Sequence, residues 1–301
     1  MPVLFPLLAV LIWSANTVVS KAAAPLFDPA AISFYRWLIA LLVLSPFCCR
    51  SFWRQRHAIR PHAGRFAVLA LLGMVLYQCL AYYAAHSTSA INMGVICALI
   101  PLLGLLLNGL VFRQSVGPAS LLGVAVSLAG VMYLLGQGQP LALLTVGIHR
   151  GDGLMLLGAS AYALYGILLK RWAPPFGLWL NLYVQVLLAV LLLSPLALTA
   201  NSLAIPVAGI GLVLFAGVAS SVLAAYFWMR GIVQLGSERT AIFMNLLPLL
   251  TALLAGVTLG ETIHLYHWVG GGLILLGVGL AQGVVNGAAL RRPPAVERPA
   301  A

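Results

Sequence analysis

Three stretches of this chain, residues 66–112, 114–149 and 172–229, contain no Asp, Glu, Lys or Arg. Each is far longer than the ~20 apolar residues that a helix needs to cross a hydrocarbon core, so each holds more than one crossing. Lipid offers no partner to backbone polar groups, which restricts spanning structures to helices and closed barrels. Hydrophobic residues make up 62% of the 301 and charged residues 7%, against about 25% charged in soluble domains. The chain reads as an all-α polytopic membrane protein. Apolar runs bounded by Pro, Gly and charge place ten transmembrane helices near 3–22, 29–48, 66–86, 90–111, 118–136, 152–170, 176–197, 206–229, 240–259 and 266–286. The 50–65 and 137–151 connections and the Pro-rich tail after Leu290 are the segments expected to be mobile.

In a soluble protein a net charge of +11 would point to nucleic acid. Here the basic residues sit beside apolar runs, where they are held on the cytoplasmic side. With the N-terminus inside, the connections 49–65, 112–117, 170–175 and 230–239 and the tail collect 13 of the 16 Lys and Arg residues. Lys21 and Arg150 fall outside and Arg36 lies within a span. This asymmetry predicts cytoplasmic N- and C-termini in a bacterial inner membrane, with the bilayer and not nucleic acid as partner. Ala22-Ala23-Ala24 resembles a signal-peptide cleavage site, but no basic n-region precedes it and spans continue throughout, so the first run is read as a retained span. Cys48, Cys49, Cys79 and Cys97 form no CxxC pair and no metal spacing, and no cofactor is expected.

An offset of 149 lays Trp13 on Tyr162, Lys21 on Lys170, Pro25 on Pro174 and Ser45-Pro46 on Ser194-Pro195. An offset of 147 further along lays Leu99-x-Pro101-Leu102-Leu103 on Leu246-x-Pro248-Leu249-Leu250, and Gly123 and Gly130 on Gly270 and Gly277. The division is therefore a first repeat over 1–136, a linker over 137–151, a second repeat over 152–286 and a tail over 287–301. Five spans per repeat is an odd number, so the halves insert with opposite orientations. Such inverted repeats recur in secondary transporters, which hold substrate near the midplane between the halves.

Leu11-Ile12-Trp13-Ser14-Ala15-Asn16 in the first span, Phe34-Tyr35-Arg36-Trp37 in the second, the prolines of spans four and nine, and Leu259-Gly260-Glu261 followed by Gly270 and Gly277 resemble, in order and spacing, the EamA-like branch of the drug/metabolite transporter superfamily. The resemblance covers nearly all of residues 3–286. It implies ten spans, a central cavity and secondary transport, most often export of amino acids or related metabolites. The family's Gly-Glu after the fourth span reads Arg113-Gln114 here, so that carboxylate is lost from the first half.

Pro101 and Pro248 remove a helical hydrogen bond in mid-span, which predicts paired hinges and freed carbonyls at Cys97 and Met244. Arg36 is a guanidinium at depth, where it needs polar protein, water or an anion; a substrate carboxylate or phosphonate would serve. Trp13, Asn16, Gln78, Tyr82, Asn92, Tyr162, Tyr165, Gln185, Tyr226 and Asn245 supply uncharged hydrogen-bonding groups, with Trp228 beside them. As a set they suit a cavity for a zwitterionic or neutral polar metabolite, while each singly also suits an interhelical bond. No carboxylate lies mid-span to bind a lipophilic cation or carry a proton, which leaves coupling to a proton or substrate gradient open. His86, His264 and His267 could titrate at span ends. Gly123, Gly130, Gly270 and Gly277 read as close helix packing. Five acids, none paired, and no nucleophile–base arrangement exclude an enzyme, and no filter-like loop supports a channel. The expected function is alternating-access export of a small amino-acid-like metabolite. Uptake of the same class, or flipping of a lipid-linked intermediate, is the alternative.

Overall fold

The structure is a computed structural model that describes residues 2–112, 118–142 and 149–281. The described residues are helical nearly throughout, with no strand among them. The helices are α1 (Leu4–Ala23), α2 (Pro29–Ile59), α3 (Ala63–Ala70), α4 (Tyr77–Ala85), α5 (Ala90–Cys97), α6 (Ile100–Phe112), α7 (Pro118–Leu135), α8 (Arg150–Trp172), α9 (Leu178–Ala197), α10 (Ile210–Leu214), α11 (Ala224–Leu235), α12 (Ser237–Ile242), α13 (Leu247–Leu259) and α14 (Leu265–Ala281). Two π-helical segments join α3 to α4 (Leu71–Leu76) and α10 to α11 (Phe215–Leu223). The 147-residue offset carries 71–76 onto 218–223, so both halves widen at the same place.

Helix ends follow local chemistry. Asp28 Oδ1 accepts the Ala30 N–H at 2.9 Å, with Pro29 at the first helical position, and so starts α2. Ala173, at φ +33°, ends α8 just before Pro174 and Pro175. Gly236 and Gly260, both at positive φ, end α11 and α13. Five helical stretches among the described residues are long and apolar enough to cross a membrane, and a sixth if α5 and α6 are joined across their 43° bend. Three shorter apolar helices, Leu121–Leu135, Phe243–Leu259 and Leu265–Leu280, accompany them. Length alone thus finds fewer crossings than the ten expected. Breaks before Pro101 and Pro248 shorten two runs, and the long stretch Pro29–Ala85 folds back on itself. Trp37 Nε1 donates to the Met74 carbonyl at 3.0 Å across that hairpin. Phe47, Leu110, Leu198, Val207 and Val257 stay at least 80% exposed, which is tolerable where lipid covers them.

The 50–65 connection departs from expectation. It is no loose loop: α2 runs unbroken to Ile59, a single 3-10 turn follows at Arg60–His62, and α3 begins at Ala63. Buried Ile59 and Phe66 pack with Leu180 and Val184 of α9, which fixes the hairpin tip. Of the 137–151 linker, 143–148 lie outside the described residues, as do Arg113, Gln114 and the tail from 282.

The glycine expectation is met. A Cβ on Gly130 would fall 2.7 Å from the Gly270 carbonyl oxygen, and one on Gly277 would collide with the Gly123 carbonyl. Between them Ser127 Oγ donates to the Ile274 carbonyl at 3.1 Å. Position 123 faces 277 and 130 faces 270, so α7 and α14 run antiparallel. Each glycine meets the repeat counterpart of the other glycine on its own helix, as a two-fold relation requires.

Candidate functional site

Arg36 lies eight residues past the Asp28 cap, about 12 Å along α2, and is 3% exposed. Its Nε donates to Ser221 Oγ at 3.0 Å, Nη1 to Asn16 Oδ1 and Gln78 Oε1 at 3.1 Å each, and Nη2 to Ser220 Oγ at 2.9 Å. All four acceptors are neutral. Four of the five guanidinium N–H groups are used, which leaves one on Nη2 without a partner among the described residues. The acceptors come from α1, α4 and the second π-helical segment, so the cation ties the first half of the chain to the second. Hydrogen bonds to a charged group contribute about 1.5–3 kcal/mol each, enough to offset burial, but they leave the positive charge uncancelled.

The π-helical segments build the surroundings. Widened turns release carbonyls from the regular ladder, and indoles take them up: Trp13 Nε1 donates to Ser220 O at 3.2 Å, as Trp37 does to Met74 O. Gly217 allows the second segment to press on α2, where a Cβ would lie 3.0 Å from the Arg36 carbonyl. Gly73 receives the Tyr165 ring in the same manner, a Cβ there falling 2.6 Å from the ring. Tyr162 packs between Tyr77 (4.7 Å between centroids) and Tyr165 (5.3 Å), both rings tilted against it, and the Tyr77 hydroxyl lies 3.5 Å from Cys97 Sγ.

A crevice of about 580 Å³ opens beside this tyrosine cluster. Ile100, Pro101, Gly104 and Asn108 of α6 form one wall and Tyr162, Gly166 and Lys170 of α8 the other. A second recess of about 400 Å³ lies at the opposite end of the bundle among Asp28, His86, Arg150 and Asn201.

Trp13, Asn16, Arg36 and Gln78 therefore converge, and Tyr162 and Tyr165 stand together beside them. The other expected residues are elsewhere. Asn92 Nδ2 donates to buried Asp152, which Thr88 also contacts, so Asn92 joins the helix-end chemistry of α5 and α8. Glu261 reinforces that end by accepting the Ala90 and Ile91 N–H groups at 2.8 and 3.0 Å, and Lys21 donates to the Ala85 carbonyl at 2.7 Å. Tyr82 is buried among Phe27, Ile32 and Val213. Gln185 bonds within its own helix to the Asn181 carbonyl. Tyr226 stacks on Trp179, and Asn245 is half-buried without a hydrogen bond among the described residues. Pro101 and Pro248 sit in the first turns of α6 and α13, after the breaks. The expected free carbonyl at Met244 is corrected: a 3-10 turn brings it the Leu247 N–H. Ser220, Ser221 and Tyr77 went unanticipated; the adjacent serines inside an uncharged apolar run were the available signal.

Apolar helices folded around a buried guanidinium define a multi-pass membrane protein of the transporter class. The chain belongs to the EamA-like transporter family of the drug/metabolite transporter superfamily, which matches residues 1–136 and 149–282 as two repeats. It is 27% identical over 271 residues to the uncharacterized transporter YyaM of Bacillus subtilis (strain 168), covering 89% of this chain and 88% of that one. It is also 27% identical over 281 residues to an uncharacterized transporter of Archaeoglobus fulgidus, covering 90% and 93%. A crystal structure of another protein superposes with a TM-score of 0.64 at 18% identity, covering 96% of this chain and 98% of that one, and shares the fold.

Proposed function

We propose that this chain is a secondary-active exporter of a small amino-acid-like metabolite, working by alternating access across a bacterial inner membrane. Its ten spans form two inverted repeats divided as 1–136 and 152–286, with both termini cytoplasmic. The observation that carries the substrate class is Arg36: a buried cation satisfied by neutral oxygens alone keeps its charge and attracts a carboxylate from the substrate. Asn16, Gln78, Ser220 and Ser221 hold the guanidinium fork in place, and one N–H on Nη2 is left over for that anion. Trp13 and the Tyr77–Tyr162–Tyr165 cluster bound the site with aromatic rings. The antiparallel glycine seam supports the inverted arrangement, and the crevice beside Tyr162 supports access from the Lys170 end.

Expression in a sensitive host is expected to confer tolerance to toxic amino-acid analogues. Arg36→Gln, which keeps hydrogen bonding but removes the charge, abolishes that tolerance while the protein still reaches the membrane. Tolerance confined to quaternary ammonium compounds, or full activity in Arg36→Gln, refutes the assignment.

A further inference from the structure

We propose that the rigid tip of the α2–α3 hairpin is a binding site for anionic phospholipid headgroups of the adjoining leaflet. This inference rests on the membrane location alone and is independent of the substrate. A helix of 31 residues extends about 46 Å, whereas the hydrocarbon core is about 30 Å thick. The end that begins at Arg50 therefore passes through the headgroup layer as continuous helix.

That end is strongly and exclusively basic. Arg50, Arg54, Arg56, Arg60 and Arg65 are all exposed, and the sequence holds no Asp or Glu between Asp28 and Asp152. Arg50, Arg54, Arg60 and Arg65 have no hydrogen-bond or ion-pair partner among the described residues. Arg56 folds back over the 58%-exposed Trp53, with its guanidinium 5.6 Å from the ring centroid and a bond to the Trp53 carbonyl. An exposed indole flanked by guanidinium groups suits the boundary between acyl chains and headgroups. Ile59 and Phe66 lock the tip against Phe176, Leu180 and Val184, so the arginines are presented by a fixed backbone that loses little freedom on binding. Charge complementarity selects the occupant: basic residues beside a membrane attract anionic lipid by about 1 kcal/mol each.

The test uses the full-length protein in detergent, with phosphatidylglycerol and phosphatidylcholine of matched chain length as probes and bound lipid counted by native mass spectrometry. Phosphatidylglycerol is expected to be preferred, with the preference fading as NaCl rises from about 0.1 M to about 1 M. The triple variant Arg54→Gln, Arg60→Gln, Arg65→Gln should lose on the order of 100-fold of that preference. The matching Arg→Lys triple should retain it. The proposal is overturned by a Gln triple that still prefers phosphatidylglycerol, by a wild-type preference that ignores salt, or by an oligonucleotide that binds the tip more tightly than the lipid does.

Discussion

Two helix pairs related by the repeat differ in the space left at their small residues. At one end of the bundle α1 lies closed against α13: the Ser14 hydroxyl is shared between the Val10 carbonyl of its own helix at 2.8 Å and the Leu247 carbonyl at 3.2 Å, Thr17 is 8% exposed and Thr251 is fully buried. The repeat offsets carry these four residues onto Ala163, Gly166, Ile100 and Gly104, which belong to α8 and α6. There a 580 Å³ crevice opens along the pair, lined by Ile100, Gly104, Ala163 and Gly166. A Cβ at Gly104 or Gly166 would meet nothing within 4 Å, while one at Gly94 would fall 2.8 Å from the Thr251 Cβ. The same ancestral interface thus carries hydroxyls where it is shut and glycines where it is open. In the proposed orientation the filled pair lies toward the periplasm and the crevice toward the cytoplasm.

The largest effect should come from filling the open pair. Gly104→Leu combined with Gly166→Phe is expected to cut transport by more than about ten-fold, while thermal stability moves by no more than about 0.5 kcal/mol, as at other open positions. Near-normal transport would show that the crevice is no pathway. The mirror substitution, Thr251→Leu, should behave oppositely: it overpacks against Gly94 and should lower stability by about 1–3 kcal/mol, read as a drop in melting temperature in detergent. Equal tolerance on both sides would erase the comparison.

The prolines should have a smaller and directional effect. Pro101→Ala supplies an N–H that can reach the Cys97 carbonyl and straighten the 43° bend between α5 and α6. Pro248→Ala supplies one toward Met244, whose carbonyl already has a partner. Both variants should fold and slow transport by about 3- to 10-fold, since hinges set rates of closure more than contacts. Cysteine accessibility from the two sides should shift in opposite directions. A shift in the same direction would separate the prolines from gating. Smallest is Ser14→Ala, which removes a hydroxyl shared between the Val10 and Leu247 carbonyls, worth about 0.5–1.5 kcal/mol, and should raise labelling of a Thr251→Cys reporter from the periplasmic side only.

The class of fold was legible because charge-free runs leave a chain few options, and the glycine seam because an offset of 147 paired its members before any contact was known. Arg36 stood out as a charge at depth, and Asn16 and Gln78 were visible as amides in apolar company. Ser220 and Ser221 were not, since serines on membrane helices usually bond to their own backbone, and only the π-helical widening turns this pair toward Arg36. Asn92 was misplaced for the converse reason: its partner Asp152 is far away in sequence and belongs to the second half. The hairpin tip read as a loop because arginine density resembles solvent exposure, whereas Ile59 and Phe66, single apolar residues among the charges, are what pin it. Open and closed pairs were invisible in principle, because a repeat offset reports equivalence and says nothing about which copy holds the crevice.

The seam between α7 and α14 has a mechanical corollary. Where backbone meets backbone across Gly130 and Gly270, only a thin layer of side chain separates the two helices, so little can deform to let them slide. They are expected to travel together, as a single post shared by both repeats. Motion is then confined to the other helices turning about that post, and the distance between any two points along it should stay constant through the whole transport cycle.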